Sequence, residues 1–204
     1  MIKKIAILVT LWLVYTFSEY FYLPYFVKLF SWLLVSITLF ILLVRQTIKV
    51  VKERRDLRIS RLLNLFITLF LFFLTFYNLN KIPSSIIEKI DWTISYNKRL
   101  QTVNEALIEK IKPNSKMNNG ICKLPFDFPI ISNGGNDIWI YQNKVKNTKT
   151  IKFWISRGFF ESPQTYFIFT NDNGTKKQYE EQIKAKPEYN WKLEENWYRI
   201  MERY

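Results

Sequence analysis

FVKLFSWLLVSITLFILLV (residues 26–44), RQTIKVVKERRDLRISR (45–61) and LLNLFITLFLFFLTFYNL (62–79) follow one another without a break. Reading them together decides the architecture. The first and third are apolar runs close to the roughly 20 residues a helix needs to cross hydrocarbon. The segment between them carries Arg45, Lys49, Lys52, Arg54, Arg55, Arg58 and Arg61 against Glu53 and Asp56. Upstream, Ile5–Leu23 is a third apolar run, preceded by Lys3 and Lys4. The chain therefore reads as three transmembrane helices, at about 5–23, 26–44 and 62–79, within a membrane region 1–80. A polar domain, 81–204, follows.

Charge distribution sets the expected orientation. Residues 1–80 hold ten Lys/Arg against Glu19, Glu53 and Asp56, while residues 81–204 hold twenty against fourteen acids. Cations beside spans stay on the cytoplasmic side. Lys3 and Lys4 thus hold the N-terminus inside, and the basic loop 45–61 is inside as well. Three spans then put the C-terminal domain outside the cytoplasm. The basic cluster is read as topology-determining and attractive to anionic lipid headgroups, not as a nucleic-acid surface. Two lysines before an apolar run also describe a signal peptide. Apolar residues continue to Phe26, which favours an uncleaved anchor.

The spans contain no glycine, since the first in the chain is Gly120. They therefore lack a GxxxG face for close helix approach. Pro24 falls in the turn between the first two spans. Glu19 and Lys28 flank that turn among Tyr15, Tyr20, Tyr22 and Tyr25, as in an interfacial aromatic belt. Thr10, Ser31, Ser36, Thr38, Thr68 and Thr75 are expected to bond across helices or to their own carbonyls. The membrane part reads as an anchor or assembly surface.

Past the third span, Asn80-Lys81-Ile82-Pro83 is expected to break the helix and Ser85-Ile86-Ile87-Glu88 to act as a capping box. A helix over Ser85–Ile111 follows. Its stripe of Ile87, Ile90, Ile94, Leu100, Val103, Leu107 and Ile111 lies opposite Lys89, Asp91, Arg99, Glu105 and Glu109. The stripe suits packing on the domain's own sheet; a homo-oligomer through helix 85–111 is the alternative. Residues 113–137 read as irregular. Asp137–Asn143, Thr150–Arg157 and Gln164–Asn171 alternate as strands do. Asn171-Asp172-Asn173-Gly174 reads as a turn, Lys177–Lys184 as a short helix, and Tyr189–Glu194 with Trp197–Arg203 as a final hairpin. The fold class is α+β: a long amphipathic helix on an antiparallel sheet of four to six strands.

One sheet face collects Ile138, Ile140, Ile151, Phe153, Ile155, Phe167 and Phe169, the bed for the long helix. The other collects Trp139, Tyr141, Lys152, Trp154, Tyr166 and Ile168. That second face is either covered by the C-terminal segment or left open to stack sugar rings or receive a protein. Cys122 is the sole cysteine and histidine is absent. No intrachain disulfide, His-based triad or His-containing zinc site is therefore available. Asn133-Gly134-Gly135-Asn136 lacks the Lys-Ser/Thr of a phosphate loop. Arg157 and Glu161 are expected to form a loop salt bridge, and Asn173-Gly174-Thr175 is a formal glycosylation sequon. No cofactor or metal is implied.

Three functional readings follow. The first is a non-enzymatic, membrane-anchored interaction module of a bacterial plasma membrane, whose external domain meets a protein or other component of the envelope. The second is an accessory or immunity-type subunit acting on a membrane complex through its spans. The third is an envelope-acting hydrolase or transferase using Asp127, Asp137, Glu161 or Asp172. The composition, rich in Ile, Lys and Asn, is the basis for the bacterial assignment.

Overall fold

The computed structural model describes residues 2–55, 58–116, 118–143, 145–157 and 163–202. It divides into two units, Met1–Glu88 and Lys89–Tyr204.

The first unit holds α1 (Ile2–Phe21), α2 (Tyr25–Lys52) and α3 (Ile59–Phe72), the last running on into a π-helical segment, Phe73–Tyr77. Three stretches, Lys3–Phe21, Phe26–Lys52 and Ile59–Tyr77, are long and apolar enough to cross a membrane. They expose Ile7, Leu11, Phe30, Leu34 and Phe66. Apolar surface on that scale suits hydrocarbon and not water. The helix α2 is longer than its apolar run. Arg45–Lys52 stays helical, which shortens the expected loop 45–61, because Ile48, Val50 and Val51 alternate with Lys49 and Lys52 and nothing breaks the helix. The two lysines sit in its last turn, where cations oppose the helix dipole.

Trp12, Leu39, Leu71 and Leu74 make the interior of this unit. Polar groups inside it are joined to one another. Thr75 accepts a hydrogen bond from Trp12 Nε1 on its hydroxyl (2.7 Å) and one from Trp32 Nε1 on its carbonyl (2.8 Å). Its hydroxyl in turn donates to Leu71 O. That carbonyl belongs to the last turn before the helix ends at Tyr77, where carbonyls lack intrahelical donors. Gln46 Nε2 donates to Thr68 Oγ1 at 2.9 Å, tying α2 to α3. Asn80 Nδ2 donates to Tyr15 OH at 2.9 Å and also to Glu19 Oε2. Glu19 thus belongs to a polar clip at the end of α1.

The helix α4 (Lys81–Leu107) contains the division between the units. It begins four residues before the expected capping box. Leu79 and Asn80 both adopt left-handed backbone, which ends the preceding helix. Asn78 Oδ1 then accepts from Ile82 N at 2.6 Å. Asn78 replaces Ser85 as the cap, and Pro83 falls in the first turn, where its missing N–H has no helical role.

In the second unit, six antiparallel strands follow the order β1-β2-β3-β4-β6-β5. They are β1 (Ile121–Lys123), β2 (Asp137–Asn143), β3 (Thr148–Ser156), β4 (Gln164–Thr170), β5 (Trp191–Glu194) and β6 (Trp197–Glu202), with α5 (Asn173–Ala185) between β4 and β5. The strand β1 lies in the segment expected to be irregular. Its backbone is held on one side by β2 and on the other by Asn114, whose side chain bonds both the N–H and the C=O of Lys123. That side chain also blunts an exposed strand edge. The turn expected at Asn171–Gly174 is the start of α5 instead. Asp172 accepts from Thr175 N at 2.8 Å and caps the helix, so Asn173-Gly174 enters its first turn.

One sheet face receives α4. Ile87, Val103 and Ile111 of the expected stripe are buried, but its middle is not. Ile90 and Ile94 are exposed, at 44% and 76%, while Asp91 and Arg99 are buried, at 4% and 0%. Trp92 packs on Phe167 and Trp197, and Tyr96 packs on Trp197. The Arg99 guanidinium stacks on the Phe167 ring at 4.6 Å. It donates through Nη2 to both Asp91 carboxylate oxygens (2.9 and 2.8 Å), through Nη1 to Asp91 O, and through Nε to Ile131 O. Ser95 Oγ donates to the same carboxylate. Burial of this charge is tolerable because each guanidinium nitrogen has a partner.

Arg99→Ala strips the buried Asp91 carboxylate of its guanidinium and is expected to cost about 3–5 kcal/mol. The paired replacement Asp91→Leu with Arg99→Met is expected to recover most of that. Denaturant unfolding of the full chain, followed by near-UV circular dichroism, measures both.

Candidate functional site

The opposite sheet face is built by the alternation of β2, β3, β4 and β6. Register places Trp139 beside Lys152 and Lys152 beside Ile168, Trp154 beside Tyr166, and Tyr166 beside Ile200. The five residues expected on this face, Trp139, Tyr141, Lys152, Trp154 and Tyr166, are therefore brought together.

They do not share one environment. The helix α5 lays Tyr179 and Ile183 over this face, forming a cluster with Trp154, Tyr166, Ile168, Tyr198 and Ile200. Tyr166 is completely buried and Trp154 nearly so. Trp154 Nε1 and Tyr166 OH both donate to Gln164 Oε1, at 3.0 and 2.5 Å. Lys152 is buried too. Its ammonium donates to both oxygens of Glu202 at 2.7 Å and lies 5.3 Å from the Tyr141 and Tyr166 ring centres. A cation in such a setting is held by charge and by ring quadrupoles together.

Toward β1 the face opens. Trp139 is half-buried and stacks on Tyr141 with ring centres 5.3 Å apart and planes 19° apart. Tyr141 is exposed at 45%. Trp139 Nε1 is out of water and has no hydrogen-bond partner among the described residues. The indole lies directly over Gly120, where an added Cβ would come within 2.5 Å of Nε1. Gly120 is there because the ring needs the space. Beside the tyrosine, a groove of about 440 Å³ is lined by Tyr141, Asn143, Thr148, Thr150, Asp172 and Thr175, among others. Thr150 and Thr170 share a hydrogen bond of 2.8 Å across β3 and β4.

The acids do not converge. Asp172 caps α5, and its hydrogen bonds from the Thr175 N–H and hydroxyl hold its carboxyl below the usual range. Asp137 pairs with Arg157 at 3.4 Å. Arg157 also stacks on Trp154 at 4.2 Å and donates to Asn133 O. Glu161, the expected partner of Arg157, lies outside the described residues. Asp127 is exposed. No group of three or more His, Cys, Asp or Glu able to hold a metal occurs among the described residues. Cys122 is buried at 1% exposure, and burial pushes its thiol up to about 11, so it is poorly disposed to react. The Asn133–Asn136 loop serves the fold. The Asn136 amide accepts from Ile131 N and Ser132 N and donates to Phe126 O, Asp127 O and Pro129 O.

The alternation of β2 and β3 reveals the open groove only in part. Its far wall comes from Asp172 and Thr175, and the signal for them was an Asp three residues before a Thr, a helix-capping spacing. Comparison with protein-family models, with curated proteins and with solved structures finds no match to this chain.

Gly120→Ala is expected to force the Trp139 indole aside and to cost about 1–3 kcal/mol. The same substitution should cost far less in a Trp139→Leu background; thermal unfolding of the four chains checks the coupling. Acid stability gives a second test. The folded-state value of Asp172 lies below the ordinary Asp value of about 3.9. Its contribution is therefore complete above that value and is lost as pH falls through the folded value. Asp172→Asn keeps a capping acceptor and is expected to flatten this part of the acid unfolding profile.

Proposed function

We propose that the chain is a membrane-anchored binding module whose α+β unit lies outside the cytoplasm and meets another component of a bacterial envelope. The observation that carries this reading is the Trp139–Tyr141 stack at the open end of a face that α5 otherwise closes. Aromatic surface of this kind is enriched where proteins bind. The hydroxyls, amides and carboxylate of the adjoining groove suit a ligand rich in hydroxyl groups, such as a glycan, or a polar protein loop.

Orientation rests on Lys3, Lys4 and the cations from Arg45 to Arg61, which favour the cytoplasmic side. The second reading, an accessory subunit working through its helices, draws support from the apolar surface those helices expose. It requires residues 1–80 to suffice for activity, whereas the first requires the α+β unit.

Sidedness is tested with Val145, which is 96% exposed. In a Cys122→Ser, Val145→Cys chain, a membrane-impermeant maleimide is expected to label intact cells. Labelling that appears only after lysis would put the unit in the cytosol and end the envelope reading. For contact, a photoreactive benzoylphenylalanine at position 141 is expected to give a discrete adduct in intact cells. The same probe at Gln178, on exposed α5 surface, should not. Identical patterns from the two positions would remove the Trp139–Tyr141 surface from consideration.

A further inference from the structure

The cations assigned to topology are not spread along a loop. Eight of those nine residues, all but Lys3, line a single cavity of about 1270 Å³ in the helical unit. Lys4 enters it from α1, Arg45 and Lys49 from the last turns of α2, and Arg61 from the start of α3. Among the described residues its lining holds one acid, Glu53, and that acid is already taken by Arg61 at 3.1 Å. Asp56 lies outside the described residues. Seven cations therefore face the same space without a described carboxylate partner. Like charges gathered this way repel one another, and a multiply charged anion between them removes the cost.

The rest of the lining narrows the choice of anion. Ile7, Leu8, Leu11 and Leu42 form an apolar wall to the same cavity. Ile7 and Leu11 are 59% and 63% exposed. A free phosphate has no use for such a wall, whereas a lipid has acyl chains to lay along it. Gln46, also in the lining, keeps its Oε1 out of water with no hydrogen-bond partner among the described residues. An acceptor among cations matches a headgroup that carries a hydroxyl as well as phosphate. The cavity volume and seven cations exceed what a single phosphodiester would neutralise.

We infer that this cavity is a binding site for an anionic phospholipid bearing two phosphate groups, with its chains against Ile7 and Leu11. The site rests on the reading that α1, α2 and α3 cross a bilayer. It differs from a diffuse attraction of basic residues to a negative surface in having a fixed stoichiometry and a preference for the doubly charged headgroup.

The test uses the full chain in phosphatidylcholine nanodiscs. Diphosphatidylglycerol, with two phosphates, or phosphatidylglycerol, with one, is titrated in, and bound lipid is counted by native mass spectrometry. One diphosphatidylglycerol per chain is expected to stay bound where phosphatidylglycerol is lost. Arg45→Gln with Lys49→Gln should weaken that binding roughly thirty-fold, at about 1 kcal/mol for each cation removed. Lys177→Gln with Lys184→Gln, on the exposed face of α5, makes the same charge change and should leave binding intact. Equal binding of the two lipids, or equal loss in the two variants, would overturn the site in favour of diffuse attraction. Displacement of the lipid by soluble pyrophosphate at comparable concentration would overturn it in favour of a soluble anion. Recovery of the chain in the aqueous phase without detergent would show instead that the membrane reading itself has failed.

Discussion

Arg99 has no measurable exposure, and a guanidinium so placed must satisfy every nitrogen or cost several kcal/mol. That requirement fixes how α4 lies on the sheet. Asp91, two turns earlier, must face the same way, and Ser95 between them completes the carboxylate's bonds. Trp92 and Tyr96 then meet Trp197, which also touches Phe153 and Phe169. The bond from Arg99 Nε to Ile131 O reaches the loop that precedes β2. One ion pair thus sets the helix rotation, seats the aromatic core and anchors the entry to the sheet. With this face occupied by α4, the Trp139–Tyr141 stack belongs to the other.

The same constraint works in the helical unit with weaker groups. These helices contain no glycine, so their backbones have no small-residue seam for close approach. Side-chain hydrogen bonds join them, to other side chains and to one backbone carbonyl. The Thr75 residue binds two indoles from two different helices, and the π-helical segment supplies the carbonyl that makes the second bond. An unpaired indole N–H in a low-dielectric interior is expensive, and Thr75 supplies both rings with acceptors. Gln46 and Thr68 make a second cross-link, side chain to side chain.

Strands were legible from runs of β-branched and aromatic residues between turn residues, even though β3 and β4 are buried on both faces: β2 spans the residues its pattern outlined, β3 starts two residues earlier and ends one earlier, and β4 ends one earlier. The burial of Asp91 and Arg99 in place of Ile90 and Ile94 was not legible. Seven apolar residues at helical spacing outweigh Asp91 and Arg99 in any pattern that scores hydrophobicity. A charge can be buried when its partner stands eight residues away, and apolar periodicity carries no trace of that. The strand β1 was too short to show alternation and is held by Asn114, which sequence places in a loop. At the candidate face, alternation identified the aromatic residues but not which of them α5 would cover. That depended on Asp172 acting as a cap. The cationic cavity was visible as composition alone, since Lys4 lies some forty residues from its nearest partner Arg45 in sequence.

The acids also bear on the choice between binding and hydrolysis. A general acid must keep its proton near neutral pH, which calls for burial away from cations and donors. Asp172 is held the other way, with its carboxyl pushed down by the hydrogen bonds of Thr175. Asp91 is committed to Arg99, Glu202 to Lys152 and Asp137 to Arg157. Each of these carboxylates lies on a different element and completes a local structure. To recruit one for catalysis would be to open a cap or strip a cation of its partner. Tyr141, 45% exposed and beside Lys152, borders the groove at the open end of its face. Binding at that surface, as proposed, would require no rearrangement of these acids.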